Sequence, residues 1–270
     1  MNLFSTPALT IRCVEFIGAC GVVLSSSEWL VNVRHLRNEA LLGWPISQLR
    51  HHVLAQGFAP RVLNPLFRYP GVTLLIIVRL VSALFLVAGI TDNFVHTALI
   101  SAVALTTIGI ALRSPFGLDG SDQMAAFIFA TLFLEQVWPG PAVESTFLWV
   151  IALQSCLAYF TAGFAKLVSP TWRDGSAVFG IASTRMYGVP SAARWIKEHG
   201  WFRVGLAWSV ILTECLFPLA LVAPFPLVVA LLAGGGAFHV MSGFTMGLNT
   251  FVWSFFATYP AILWCHSRIY

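Results

Sequence analysis

The sequence predicts an all-α protein, a polytopic transmembrane helical bundle of about eight spans with interfacial amphipathic helices. Three observations predict it. Hydrophobic residues make up 58% of the 270 residues and charged residues 10%, where a soluble surface needs about a quarter of the chain charged. Mean hydropathy is +0.81. The apolar residues gather into stretches of about 20, the length that crosses a hydrocarbon core of roughly 30 Å. This composition excludes a soluble globule, a disordered chain and a nucleic-acid binder. The length suits one domain over residues 1–270.

Eight stretches qualify, at about 8–26, 72–90, 94–112, 122–138, 146–167, 203–222, 225–242 and 247–265. Segment 27–71 is too polar to span. Trp29, Leu30, Val33, Leu36, Ala40 and Leu41 recur at helical spacing, with Arg34, Arg37 and Glu39 largely opposite, which predicts an amphipathic helix lying in the interface. A second short helix is expected from Ile46 to Ala55. Segment 168–202 behaves similarly, with Ser191 able to cap a helix through Trp195 and Lys197 and Gly200 able to end it. The N-terminus has neither the basic region nor the cleavage site of a signal peptide.

Net charge is +4, but its distribution says more. On the eight-span reading, eleven of the fifteen Lys and Arg lie on one face, in loop 27–71, at Arg113 and from Arg173 to Arg203. The positive-inside rule places that face in the cytoplasm and both termini outside. Cys13, Cys20, Cys156, Cys215 and Cys265 sit in or beside apolar stretches and read as small buried hydrophobes. His51 and His52 are adjacent and point apart on a helix, and no metal or phosphate-loop motif occurs.

Ionisable groups inside hydrocarbon cost several kcal/mol and are functional candidates by default. Arg12 and Glu15, three apart, read as a local ion pair. Arg79 is central in its span and Glu214 central in another, which makes them candidate partners, either structural or lining a polar pocket. Tyr159, Gly163 and Lys166 share a helix face at spacings of four and three, and Gly163 admits a close neighbour. Lys166 is either a general base held in a dry site or a snorkelling lysine at a helix end. His239, after Gly234, Gly235 and Gly236, is a proton carrier or a hydrogen-bonded core histidine. Asp119 or Ser121 can cap the fourth span, where Asp122 suits the helix dipole. Glu135 and Gln136 close that span near the interface.

The run from Tyr159 to Leu167, followed by Trp172 and Gly175-Ser176, resembles the core of the vitamin K-dependent γ-glutamyl carboxylase family and its bacterial relatives, the horizontally transferred transmembrane (HTTM) domain proteins. Phe238-His239 through Met246-Gly247 to Phe251, Asp119 to Gln123, and Glu214 with Pro218 fit the same pattern, which covers about residues 10–265. The resemblance implies that Lys166 is the base that deprotonates a reduced quinone such as vitamin K or menaquinol. Oxygen then makes the quinol strongly basic, a γ-proton leaves a glutamate side chain, and carbon dioxide is captured. His239 becomes a second polar group in the pocket. Tyr159 and Glu214 orient these groups, Arg79 balances charge, and Gly163, Asp122 and Trp172 complete the substrate and cofactor site. Where the animal enzyme carries a histidine, this chain reads Leu134-Glu135-Gln136-Val137-Trp138. The expected setting is a lipid bilayer, most simply a bacterial cytoplasmic membrane, with a secreted peptide, small protein or small molecule as substrate. The alternative is a non-catalytic factor in maturation, export or immunity of a secreted peptide toxin, a group of proteins in the same broad family. A quinone-linked oxidoreductase subunit is a third possibility.

Overall fold

The structure, a computed structural model, describes residues 6–50, 56–90, 92–114, 119–185 and 188–270. These residues are overwhelmingly helical, with no strand among them, so the all-α class holds. The chain forms two compact units, one of residues 12–143 and one of residues 144–270 together with those before residue 12.

The first unit carries most of α1 (Pro7–Val31), then α2 (Trp44–Ser47), α3 (Ala59–Phe67), α4 (Gly71–Val87), α5 (Asn93–Arg113) and α6 (Gly120–Val137). α4 packs on α5 and α5 on α6. Val72, Ile76, Ala83 and Leu86 of α4 are buried, as are Ile100 and Val103 of α5 and Ile128 and Leu132 of α6. The other face of α4 exposes Leu74, Ile77, Val78, Val81, Leu84 and Phe85. So large an apolar face is matched by lipid and would be a liability in water.

Side-chain caps fix where the helices begin. Asp92 accepts from the backbone N–H of Val95 at 2.9 Å and opens α5. Asp119 accepts from those of Ser121 and Asp122 and opens α6, as its position predicts.

The second unit holds α7 (Pro141–Val168) from Glu144 on, α8 (Pro170–Arg173), α9 (Ser176–Ala182), α10 (Pro190–Glu198), α11 (Gly200–Leu216), α12 (Phe225–Met246), α13 (Asn249–Phe256) and α14 (Tyr259–Ile269). α11 runs on as a 3₁₀ turn, Phe217–Leu221, where Pro218 withholds a backbone donor.

Five helices among the described residues are long and apolar enough to cross a membrane: α1, α5, α7, α11 with its 3₁₀ turn, and α12. A sixth is added if α3 and α4, bent by 71° at their junction, count as one span. The protein is therefore multi-pass, with fewer than the eight spans expected. Two expected spans fall short for physical reasons. α6 is polar at both ends, from Ser121 to Gln123 and again at Glu135 and Gln136. The stretch 247–265 breaks at Ala257 and Thr258 into α13 and α14. There Pro260, in the first turn of α14, has no N–H to continue the α13 ladder.

Other expectations are also corrected. The amphipathic helix through Trp29 and Leu41 does not form as one element. Trp29 and Leu30 extend α1, the chain breaks at Asn32, and Val33–Leu36 is a 3₁₀ turn that buries Leu36. The Ile46–Ala55 helix is realised as α2 followed by a 3₁₀ turn to Arg50, and residues 51–55, with His51 and His52, lie outside the described residues. α3 and α10 are the strongly amphipathic elements. Ser191 does not cap α10: Val189 holds that position without a side-chain bond, and Pro190 supplies the helical φ. α10 ends at Glu198, and Gly200 opens α11.

Candidate functional site

The site grows from one face of α7. Tyr159, Gly163 and Lys166 present themselves at spacings of four and three, and α11 crosses at Gly163. A Cβ added there would lie 2.7 Å from the backbone nitrogen of Cys215 and 2.8 Å from the Cβ of Glu214. Only glycine allows this crossing, and the crossing delivers Glu214 to Lys166. The Lys166 Nζ donates to Glu214 Oε2 at 2.7 Å and to Oε1 at 3.0 Å. It also stands 5.2 Å from the centre of the Trp172 ring. The Lys166 side chain is 17% exposed and that of Glu214 5%. The lysine therefore turns to a carboxylate on the neighbouring helix, and an aromatic face covers the pair.

Beside this pair lies an aromatic layer. The Tyr159 hydroxyl shares a 3.0 Å hydrogen bond with that of Tyr259. Its ring stacks on Phe217 at 3.7 Å and meets His239 edge-on at 5.5 Å. A Cβ on Gly235 would come within 2.9 Å of both tyrosine oxygens, so α12 passes close because residue 235 has no side chain. The imidazole of His239 stacks on Phe255 at 4.3 Å. It is 3% exposed, and neither ring nitrogen has a hydrogen-bond partner among the described residues. The hydrogen-bonded core histidine expected as one alternative is not what is found. Such buried orphan groups are uncommon and ask for an explanation.

Six of the eight expected site residues thus fall in the second unit. Lys166, Glu214, Gly163 and Trp172 are in direct contact, and Tyr159 joins them to His239 through its ring. Arg79 and Asp122 belong to the first unit. The Arg79–Glu214 partnership is corrected: Glu214 pairs with Lys166, and Arg79 Nε donates to Thr107 Oγ1 at 3.2 Å. Arg79 and Asp122 instead line a separate cavity in the first unit.

Arg12 and Glu15 do pair, at 3.2 Å. His96, which the sequence reading did not single out, completes that cluster. Its Nε2 contacts Glu15 at 3.0 Å and the Arg12 guanidinium, and its Nδ1 meets Gln136 Oε1 at 3.2 Å. Tyr259 and Phe255 were missed as well. Both lie in a stretch that reads as one span; α13 carries Phe255, and the break before Tyr259 turns the tyrosine to the site. Among the described residues no group of three His, Cys, Asp or Glu is placed to hold a metal ion.

In comparisons with known proteins, no family model matches the chain, and neither does any curated protein or solved structure.

Proposed function

We propose that the protein is a membrane enzyme of the quinol-dependent carboxylase type, resembling the HTTM group, with Lys166 as its base. The observation that carries this reading is the Lys166–Glu214 pair, sealed between α7 and α11 and covered by Trp172. An ammonium and a carboxylate in contact share one proton between Nζ and Oε2. Transfer of that proton to Glu214 leaves a neutral amine without creating net charge in the bilayer. The neutral Lys166 can then accept a proton from a weakly acidic hydroxyl.

A reduced quinone fits the residues present. The unpartnered nitrogens of His239 offer a hydrogen bond to a hydroxyl, and the partly exposed Phe251 offers an apolar ring beside it. When bound, it would supply the acidic hydroxyl and the reducing equivalents. Lys166 and Glu214 would hold and move the proton, His239 would orient the hydroxyl, and Tyr159, held by Tyr259, would fix the position of His239. A strong base requires a water-poor site, and the rings around His239 and the Trp172 face against Lys166 would supply it. The substrate modified would be a peptide or small molecule reaching the site from the bilayer.

The test is turnover of reduced vitamin K or menaquinol by the full chain in lipid nanodiscs under oxygen, with the quinone product followed by mass spectrometry. General-base catalysis contributes about a hundredfold or more, so Lys166→Ala should lower turnover by at least about that factor while the protein stays folded. Equal turnover in the variant would remove Lys166 from the chemistry. No turnover by the parent protein would leave the pair as a staple between α7 and α11 and favour the non-catalytic, peptide-handling reading.

A further inference from the structure

The first unit holds a partly open cavity of about 80 Å³ that has no part in the Lys166 chemistry. It forms where the end of α1, the start of α4, the end of α5 and the start of α6 come together. Its walls are apolar, with Trp29, Leu36 and Ile76 among them, and two of its lining residues, Arg79 and Asp122, carry opposite charges.

Neither charge has an ion-pair contact among the described residues. Arg79 is 5% exposed, yet among the described residues it makes a single hydrogen bond, from Nε to Thr107. Its terminal nitrogens make none, and the residue lines the cavity. Asp122 is exposed, and its carboxylate has no hydrogen-bond or ion-pair partner among the described residues. The two charges attract each other across the space without touching. Arg113 also lines the cavity but is committed to the frame. It donates to the carbonyl oxygens of Phe67 at 3.0 Å, Leu42 at 2.8 Å and Leu36 at 3.4 Å.

A buried guanidinium whose terminal nitrogens have no hydrogen-bond partner is expensive even with a carboxylate across the gap. An anion alone would neutralise Arg79 and then face Asp122. A cation alone would do the reverse. A ligand carrying both signs a few bonds apart satisfies both. The volume sets its size: about 10–15 Å³ of such space accommodates one water, so this cavity holds a polar head of a few heavy atoms and no acyl chain.

We propose that this cavity binds a zwitterionic phosphate–amine head group, with the phosphate on the buried Arg79 and the ammonium on the exposed Asp122. The membrane supplies such a group as phosphatidylethanolamine; the soluble source is phosphoethanolamine. Arg79 at the inner wall and Asp122 nearer the outside give the site a direction, phosphate inward and amine outward.

The experiment is native mass spectrometry of the full chain in mixed micelles. These contain equal phosphatidylethanolamine, phosphatidylglycerol and phosphatidylcholine. A hydrogen bond to a charged group is worth about a factor of ten. Phosphatidylethanolamine should therefore be retained about tenfold over phosphatidylglycerol, which has no ammonium, and over phosphatidylcholine, whose quaternary nitrogen cannot donate. Asp122→Asn should abolish that preference without lowering total lipid retained, since Asp119 and not Asp122 caps α6. Arg79→Lys keeps the charge in a folded protein but loses the planar fork, and should weaken retention of all three lipids. Displacement of the retained lipid by millimolar phosphoethanolamine would assign the soluble source, and resistance to it the lipid. Equal retention of the three lipids by the parent protein, or a preference unchanged in Asp122→Asn, would overturn the proposal.

Discussion

At the scale of single residues, His239 is the clearest mark of selection for something other than stability. Leaving a buried polar group without a partner costs about 1–3 kcal/mol, and this imidazole leaves two nitrogens so. It already stacks against aromatic rings, at 4.3 Å from Phe255 and 5.9 Å from Phe251, so a phenyl ring suits the same slot. His239→Phe is therefore expected to raise the thermal unfolding midpoint in detergent, by an amount reflecting about 1–2 kcal/mol, while abolishing turnover. A lower midpoint would show that the histidine is hydrogen-bonded in the folded protein and is a core residue after all. The sequence made each expensive residue visible: Lys166, Glu214, Arg79 and His239 stand out because charge and imidazole are rare in apolar runs. It did not make their partners visible. Glu214 could be matched to any cation at a similar depth, and the choice of Lys166 over Arg79 depends on which helix α11 crosses.

At the scale of elements, that crossing was partly legible, because a glycine one turn before Lys166 announces a close neighbour. The neighbour proves to be the backbone of α11 at Glu214 and Cys215. Gly163→Ala would put a methyl group 2.7 Å from a main-chain nitrogen, and backbone cannot swing aside as a long side chain does. The helices must separate, with an overpacking penalty of about 1–3 kcal/mol. The separation also stretches the 2.7 Å bond from Lys166 to Glu214. The variant is expected to melt earlier and to lose turnover, with lipid retention in the other unit unchanged. A melting point equal to the parent's would mean that α7 and α11 are not held at this distance. Helix breaks were the least legible feature. Periodicity carried the reading from Trp29 through Leu41 past Asn32, where the chain tightens into a 3₁₀ turn. Hydropathy likewise carried it from Gly247 to Cys265 past Thr258, whose hydroxyl bonds Ser155 and the carbonyl of Phe255. A polar residue that leaves the helical ladder for tertiary partners looks, in sequence, like any other polar residue within a span.

At the scale of the whole molecule, charge and helix length make different demands on α6. Its stretch between charged or amide residues, Met124 to Leu134, covers only about 16 Å at 1.5 Å per residue, well short of a hydrocarbon core of roughly 30 Å. Length and composition therefore leave it out of the crossing helices. The basic residues put it back. One Arg-bearing stretch follows α1 and the other follows α7, and the positive-inside rule favours the same face for both. Between them lie α4, α5, α6 and α7; once the bent α3–α4 pair is counted as one span, an even number of crossings requires α6 to cross. Its polar ends need not forbid this. Glu135 and Gln136 lie by Trp138, an interfacial residue type, and Gln136 is bonded to His96 and Thr97 of α5, so polar groups at that end are satisfied within the protein. The expected result is that single cysteines at Asn38→Cys and Pro139→Cys, in a background with the five native cysteines replaced, react with an impermeant maleimide from opposite sides of sealed vesicles. With α3–α4 counted as one span, three crossings separate these positions if α6 spans and two if it does not, so labelling from the same side would make α6 an interfacial helix and divide the basic stretches between the two faces.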